Sequence, residues 1–409
     1  MTQNGSIQNN NSAVQYNKDI DVLHGFRAIF IFFVGNFHIW QQSWLPHYIM
    51  PFGKFISLDF LPRSGYVFVD GMILISAFLL YLPYIRQKTY GGEIASIPEF
   101  YSKKFARIVP SYILNILLLF FLLALPQKIY PSTGRAAKDF FSHIFFAQTF
   151  SYDTYVATPL NAGLWTVVIE MQAYLIMPWV FKYLFKKPVV TLSLMSIMAW
   201  GFRYYTYYYV ADPNVWINQL PAFLDVYALG FIGAIVYTKL EQLFFKDKLK
   251  IWHKTLFTLV LICAIILTVS LLKYQASMNG QLAIKLGQLE IRLPLTLLMM
   301  IMILSAAFSF KVIKFSLSNK LIRFLAAISY NFYIWHQVLS VEMRKAFYDT
   351  EMLHSNMPMQ QGFTLLCYSV AILVAAFVTF YFEKPMSKII LNRFNVFFNR
   401  RNKIEGPKS

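Results

Sequence analysis

The sequence predicts an all-α, polytopic membrane bundle of about ten transmembrane helices with both termini cytoplasmic. Three observations carry this. The chain is 57% apolar and only 14% charged, against about 25% charged in an ordinary soluble domain, which leaves too little polar surface to coat 409 residues in water. The apolar residues fall in runs long enough to cross a bilayer, which takes about 20 residues as a helix. Threading those runs alternately puts 25 of the 37 Lys and Arg on one side, and the positive-inside rule makes that side cytoplasmic. The net charge of +18 is thereby read as topogenic charge and attraction to anionic lipid, with no nucleic-acid partner.

The runs lie at 22–41, 65–85, 107–125, 164–183, 189–210, 221–240, 252–273, 291–310, 321–343 and 361–382. Each must satisfy its own backbone groups within the membrane, so helix is the reading that fits. The first run is no cleaved signal peptide, because acidic Asp19 and Asp21 precede it and no small-x-small site follows. The second carries Asp70 and the fourth Glu170. The fifth ends in "YYTYYY" (204–209), read as an interfacial aromatic belt. The seventh and tenth hold Cys263 and Cys367, the only cysteines, so no disulfide framework or metal spacing is visible.

Three segments are expected. Residues 1–18 are Asn/Gln/Ser-rich and expected to be a disordered cytoplasmic N-terminus. Residues 19–390 form one membrane domain, and 391–409 a basic cytoplasmic tail along the membrane surface. The aromatic loop 126–163 is expected to pack on the outer membrane face or re-enter it. No appended soluble domain and no internal repeat is seen. The location expected is the cytoplasmic membrane, multi-pass.

Ionisable groups inside a membrane cost several kcal/mol, about 2.5–3.5 for Arg or Asp at a helix centre, so they mark function by default. Here they are Arg27, His38, Asp70, Glu170, Arg203, Asp225, His336 and Glu342. Arg203, Asp225 and Glu342 are read first as halves of structural ion pairs. Arg27 and His38 stand eleven residues apart, close to three helical turns, so they share one face about 16 Å apart along the axis. A histidine can take a proton near neutral pH or attack an activated acyl group itself. "FYSKKFARIVP" (100–110) sets Lys103, Lys104 and Arg107 at the start of the third run. Lys104 and Arg107 are one turn apart and can grip an anion together. A cationic entry, an arginine and a deeper histidine suit an acyl donor with a phosphate-rich handle such as coenzyme A. No His-Glu-x-x-His, Gly-rich phosphate loop or Gly-x-Ser-x-Gly elbow occurs, so no metal site, nucleotide loop or serine hydrolase is expected.

Six stretches in order resemble the acyltransferase-3 family of integral membrane O-acyltransferases. "DVLHGFRAIFIFFVGNFH" (21–38) is similar to its first-helix block, "GYVFVDGMILISAFLL" (65–80) to its second, with Asp70 and Ser76 in register, and "FYSKKFARIVPSY" (100–112) to its basic block. "LWTVVIEMQAYLIMP" (164–178) resembles the block holding Trp165, Glu170 and Gln172; "ISYNFYIWH" (328–336) resembles the late block holding Tyr330 and His336; "EKP" (383–385) matches its close. The resemblance implies transfer of an acyl group, usually acetyl, from cytoplasmic acetyl-CoA or another acyl-CoA to a hydroxyl of an envelope glycan or glycolipid, without a metal. It implies His38 as the catalytic residue, Arg27 as its partner, Lys104 and Arg107 as donor-holding residues, joined on the residue-level reading by Lys103 and Arg27, and Glu170 as support for the core of the site. A separate extracytoplasmic transferase is a possible partner, since many members carry such a domain. The chain departs from the pattern at His24, where Asp is common, at Ala28 and Ala77 for glycines, and at Lys104 for the first arginine. Ala77 implies slightly wider helix contacts, and Lys104 lacks the planar fork of arginine. A transporter exporting an acylated glycan or lipid-linked saccharide stays open at this stage, because Asp70, Glu170, Arg203 and Asp225 could line a path. A membrane scaffold would leave the deep histidine and the basic patch unexplained.

Overall fold

The computed structural model describes residues 20–91, 94–244 and 249–405; the expected disordered N-terminus, 1–18, lies outside them. The long helices are α1 (Val22–Ser43), α2 (Phe68–Tyr90), α3 (Ile97–Leu118), α4 (Thr133–Ile144), α5 (Trp165–Lys186), α6 (Pro188–Tyr209), α7 (Leu224–Leu243), α8 (Ile251–Ser277), α9 (Gln281–Phe308), α10 (Lys320–Phe347), α11 (Met357–Phe377) and α12 (Lys384–Glu405). Among the described residues the only sheet is an antiparallel pair, Tyr48–Ile49 with Ile56–Ser57. The protein is an all-α membrane bundle.

Eight stretches among the described residues are long and apolar enough to cross a membrane. The expected fifth and ninth spans are the helices α6 and α10, of 22 and 28 residues, but they are not among those eight. For α10 the reason is polarity: Ser329, Asn331, His336 and Ser340 are all buried within it. Residues 391–405, expected as a tail, continue the helix α12.

Local chemistry sets the boundaries. Ser96 accepts a hydrogen bond from the Glu99 N–H at 3.4 Å and Pro98 occupies the first turn, where a missing N–H does no harm. This starts α3 ten residues before the apolar run, so Lys103, Lys104 and Arg107 ride on its first turns. Asn319 caps α10 through the Ile322 N–H at 3.1 Å, and Pro188 opens α6 directly after α5. Two π-helical segments follow α3 and α11, at Leu119–Ala124 and Val378–Glu383.

The core runs between α1, α2, α7, α9 and α10, with α1 packed along α10 and α2 along α7. Two glycines allow close approaches in these pairs. A Cβ on Gly35 would stand 2.5 Å from the Phe332 ring, and one on Gly230 would stand 2.5 Å from the Ala77 methyl. Gly230 therefore takes up the methyl that Ala77 adds to α2. By contrast α8 leaves Leu259, Ile262, Ile266 and Leu267 about half exposed, a face suited to lipid tails.

The segment expected to pack on a membrane face is an ordered cap at the end of the bundle where α3 finishes. Within it α4 buries Asp139 and His143 completely. The Asp139 carboxylate accepts from Tyr130 OH at 2.8 Å and Thr158 OH at 2.7 Å. Tyr112 OH on α3 donates to the His143 carbonyl at 2.8 Å. Arg135 donates to the Asp153 carbonyl. Lys138 donates to the Asp153 carboxylate at 3.0 Å and holds that carboxyl below the usual carboxylate range. Residues 155–163 are thus fixed at this end.

Candidate active site

Two clusters form, one near each end of α1. At the near end, where α1 and α3 begin, Arg27 lies within electrostatic reach of Arg107, Glu170, Tyr174 and Glu383, and Lys104 within reach of Arg107, Glu170 and Arg27. Lys104 Nζ sits 4.9 Å from the centre of the Tyr174 ring and 5.8 Å from that of Phe100, both within cation–π range. The carboxylates are already engaged. Glu170 accepts from Ser76 OH at 2.5 Å and Tyr174 OH at 3.2 Å, and Glu383 accepts from Asn331 Nδ2 at 2.5 Å. Among the described residues Arg27 and Arg107 make no hydrogen bond or ion pair. Lys103, Lys104 and Arg107 line a cavity of about 590 Å³ with Pro83, Tyr84 and Phe100. Lys103 also pairs with Glu99 at 2.6 Å on the exposed rim. Three converging cations faced by two satisfied carboxylates can hold an anion with several charges.

At the far end His38 lines a second cavity of about 250 Å³ with Tyr155, Trp165, Asn214, Asn218, Lys285 and Gln337. Its Nδ1 stands 3.2 Å from Gln41 Oε1; since that oxygen only accepts, Nδ1 donates and Nε2 keeps its lone pair. The His336 ring is centred 5.3 Å away. His336 donates from Nδ1 to the Phe332 carbonyl at 2.9 Å, and its buried Nε2 has no partner. Tyr333 OH donates to the Gly163 carbonyl at 2.5 Å, and Asn161 Nδ2 to the Ile334 carbonyl at 2.7 Å. These bonds tie α10 to the cap around the cavity. Imidazoles with open lone pairs beside a cavity can accept a hydroxyl proton.

A family model for the acyltransferase-3 acyltransferase domain matches residues 20–381. The chain belongs to the acyltransferase-3 family. No curated protein and no solved structure matches the chain. Membership makes it a multi-pass membrane acyltransferase.

For an acyltransferase-3 chain, the separation of the two clusters is the main finding. The structure brings Arg27, Lys104, Arg107, Ser76 and Glu170 together, and His38, His336 and Trp165 together. Arg27 does not touch His38: its electrostatic neighbours are those of the near cluster, whereas His38 faces His336 and Gln41. Tyr330 joins the near cluster, donating its OH to the Ile108 carbonyl at 2.8 Å, one turn after Lys104. Gln172 is half-buried with an unpartnered Nε2.

The remaining intramembrane charges are ion pairs. Arg203 makes a two-pronged pair with Asp225 at 2.9 and 2.5 Å. Asp70 pairs with Arg292 at 3.3 Å, both fully buried. Arg292 also stacks 3.9 Å over the Phe223 ring and donates to the Ile217 and Ala222 carbonyls at 3.2 and 3.4 Å, so it braces the segment that walls the His38 cavity. These pairs leave Asp70 and Asp225 bound to structural partners rather than lining a path. Glu342 forms a surface pair with Lys345 at 2.8 Å. Sequence reasoning missed Arg292 and underused Glu383 and Asn331. Both Asn331 and Glu383 stand inside the blocks that resemble the family.

Proposed function

We propose that this acyltransferase moves an acyl group, acetyl first among the candidates, from cytoplasmic acyl-CoA to a hydroxyl of a cell-envelope glycan or glycolipid. The observation that carries this is the pair of cavities: one lined by Lys103, Lys104 and Arg107, the other by His38, three side-chain amides and a single lysine, Lys285. The first suits the phosphates of coenzyme A, with Arg27 behind them. The second suits a hydroxyl acceptor. On this reading the near end faces the cytoplasm, and the thioester reaches toward His38 over the roughly 16 Å that eleven helical residues span.

The chemistry follows from the groups present. The acceptor oxygen attacks the thioester carbonyl carbon as His38 Nε2 takes the hydroxyl proton. The C–S bond then breaks, and the departing thiolate collects that proton from His38 to leave as free CoA. Gln41 holds the orientation of His38 through Nδ1, and His336 sits beside it with its own Nδ1 committed to Phe332. A positioned general base contributes about 10²–10⁴-fold.

The test uses purified protein in nanodiscs with isotope-labelled acetyl-CoA, following CoA release, label on protein and label on added envelope glycolipid. His38→Ala is expected to lose at least about 10²-fold in CoA release while still binding CoA. Arg27→Ala is expected to weaken CoA binding instead. Full transfer activity in His38→Ala sinks the role of His38. Label retained on wild-type protein replaces the direct route by one through an acyl-histidine.

A further inference from the structure

The His38 cavity has a chemical asymmetry that a hydroxyl acceptor alone does not explain. Two side chains on its wall have buried amide oxygens without partners among the described residues. Asn218 donates from Nδ2 to Tyr155 OH at 2.6 Å, which leaves its buried Oδ1 unpaired, and Gln337 Oε1 is likewise buried and unpaired. Both are acceptors, so they call for O–H or N–H donors on whatever fills the cavity. Trp165 adds an aromatic surface to the same wall.

The other group is a cation. Lys285 is half-buried and lines the cavity, and among the described residues it makes no ion pair or hydrogen bond. The carboxylate that it feels is Asp212, with which it makes no ion pair among the described residues; the Asp212 Oδ1 accepts from Asn214 N–H at 3.0 Å and Asn214 Nδ2 at 2.5 Å. Among the described residues on the wall, Lys285 is the only ionisable side chain besides His38 and the Tyr155 phenol, which already accepts from Asn218.

We propose that the acceptor is an anionic saccharide, with Asn218 and Gln337 accepting from its hydroxyls and Lys285 reading a phosphate or carboxylate beside the hydroxyl that takes the acyl group. The proposal rests on the acyl-transfer reading of this cavity and names the acceptor class within it. A volume of about 250 Å³ lies below the roughly 300 Å³ from which pockets for drug-sized ligands start, which is room for one sugar unit within the cavity.

The experiment compares wild type, Lys285→Gln and Lys285→Arg in nanodiscs of zwitterionic lipid. Glucose, glucuronate and glucose 6-phosphate are titrated calorimetrically, and each is offered as acceptor with labelled acetyl-CoA. Wild type is expected to prefer one anionic sugar over glucose by about tenfold or more, the scale of one charge-assisted hydrogen bond. The favoured member of the pair tells phosphate from carboxylate. Lys285→Gln should erase the preference and Lys285→Arg should keep it, which separates lost charge from misfolding. Equal binding of glucose and both anionic sugars by wild type overturns the proposal, as does a preference that survives Lys285→Gln. A Lys285-dependent preference without any acyl transfer leaves the anion site standing and removes the transfer reading. Transfer at one rate to glucose and to both anionic sugars does the reverse.

Discussion

The two ends of the bundle solve opposite problems with similar material. The near cluster gathers Arg27, Lys104 and Arg107 around carboxylates whose oxygens are already occupied by Ser76, Tyr174 and Asn331. The far cluster holds neutral amides, two imidazoles and one lysine. Charge that is free to move toward a ligand belongs at an end that grips. Uncharged groups with fixed lone pairs belong at an end where a proton must change hands. The helices α1 and α10 contribute to both, so one pair of helices sets the distance between the two clusters, and on the proposed function between donor and chemistry.

Three substitutions test this division. The largest effect is expected for Arg292→Met, which strands the buried Asp70 carboxylate and should cost about 3–5 kcal/mol of stability. Thermal unfolding in detergent measures it, and transfer should fall further than CoA binding, because Arg292 braces the far wall. A fall in CoA binding as large as that in transfer breaks the comparison. Arg107→Ala comes next: losing one charged contact, about 1.5–3 kcal/mol, should raise KM for the donor about 10–100-fold with kcat little changed. Initial rates across donor concentrations decide this, and a kcat-only defect would move Arg107 to the chemical step. The smallest effect is Gly35→Ala. Overpacking against Phe332 costs about 1–3 kcal/mol, offset by about 1 kcal/mol of helix propensity. Turnover should drop several-fold as Phe332 and His336 shift, with donor KM constant.

Much of this was legible in the chain because charge is expensive in apolar surroundings. Arg27, His38 and Glu170 stood out inside apolar runs, and Lys104 and Arg107 at one-turn spacing. What escaped has physical reasons. Arg292 stands at the edge of the run 291–310, where a cation looks like an interfacial anchor; its burial depends on Asp70, 222 residues away. Glu383 lies one residue past the run 361–382. Asn214 and Asn218 sit in a connection and Lys285 in the first turns of α9, ahead of the apolar run 291–310, and only tertiary folding brings them to His38. The spacing of Arg27 and His38 gave a shared helix face, yet each end of that face meets different helices.

The π-helical segment Val378–Glu383 has a genetic consequence. A π turn holds one residue more than the α turn it replaces. One residue is about 100° of rotation in an α-helix. Deleting a single codon between 378 and 382 would close the wide turn to an α turn and leave the flanking helix in register. The same deletion within the regular helix Met357–Phe377 would swing Glu383 by about 100° away from Asn331 and the cations.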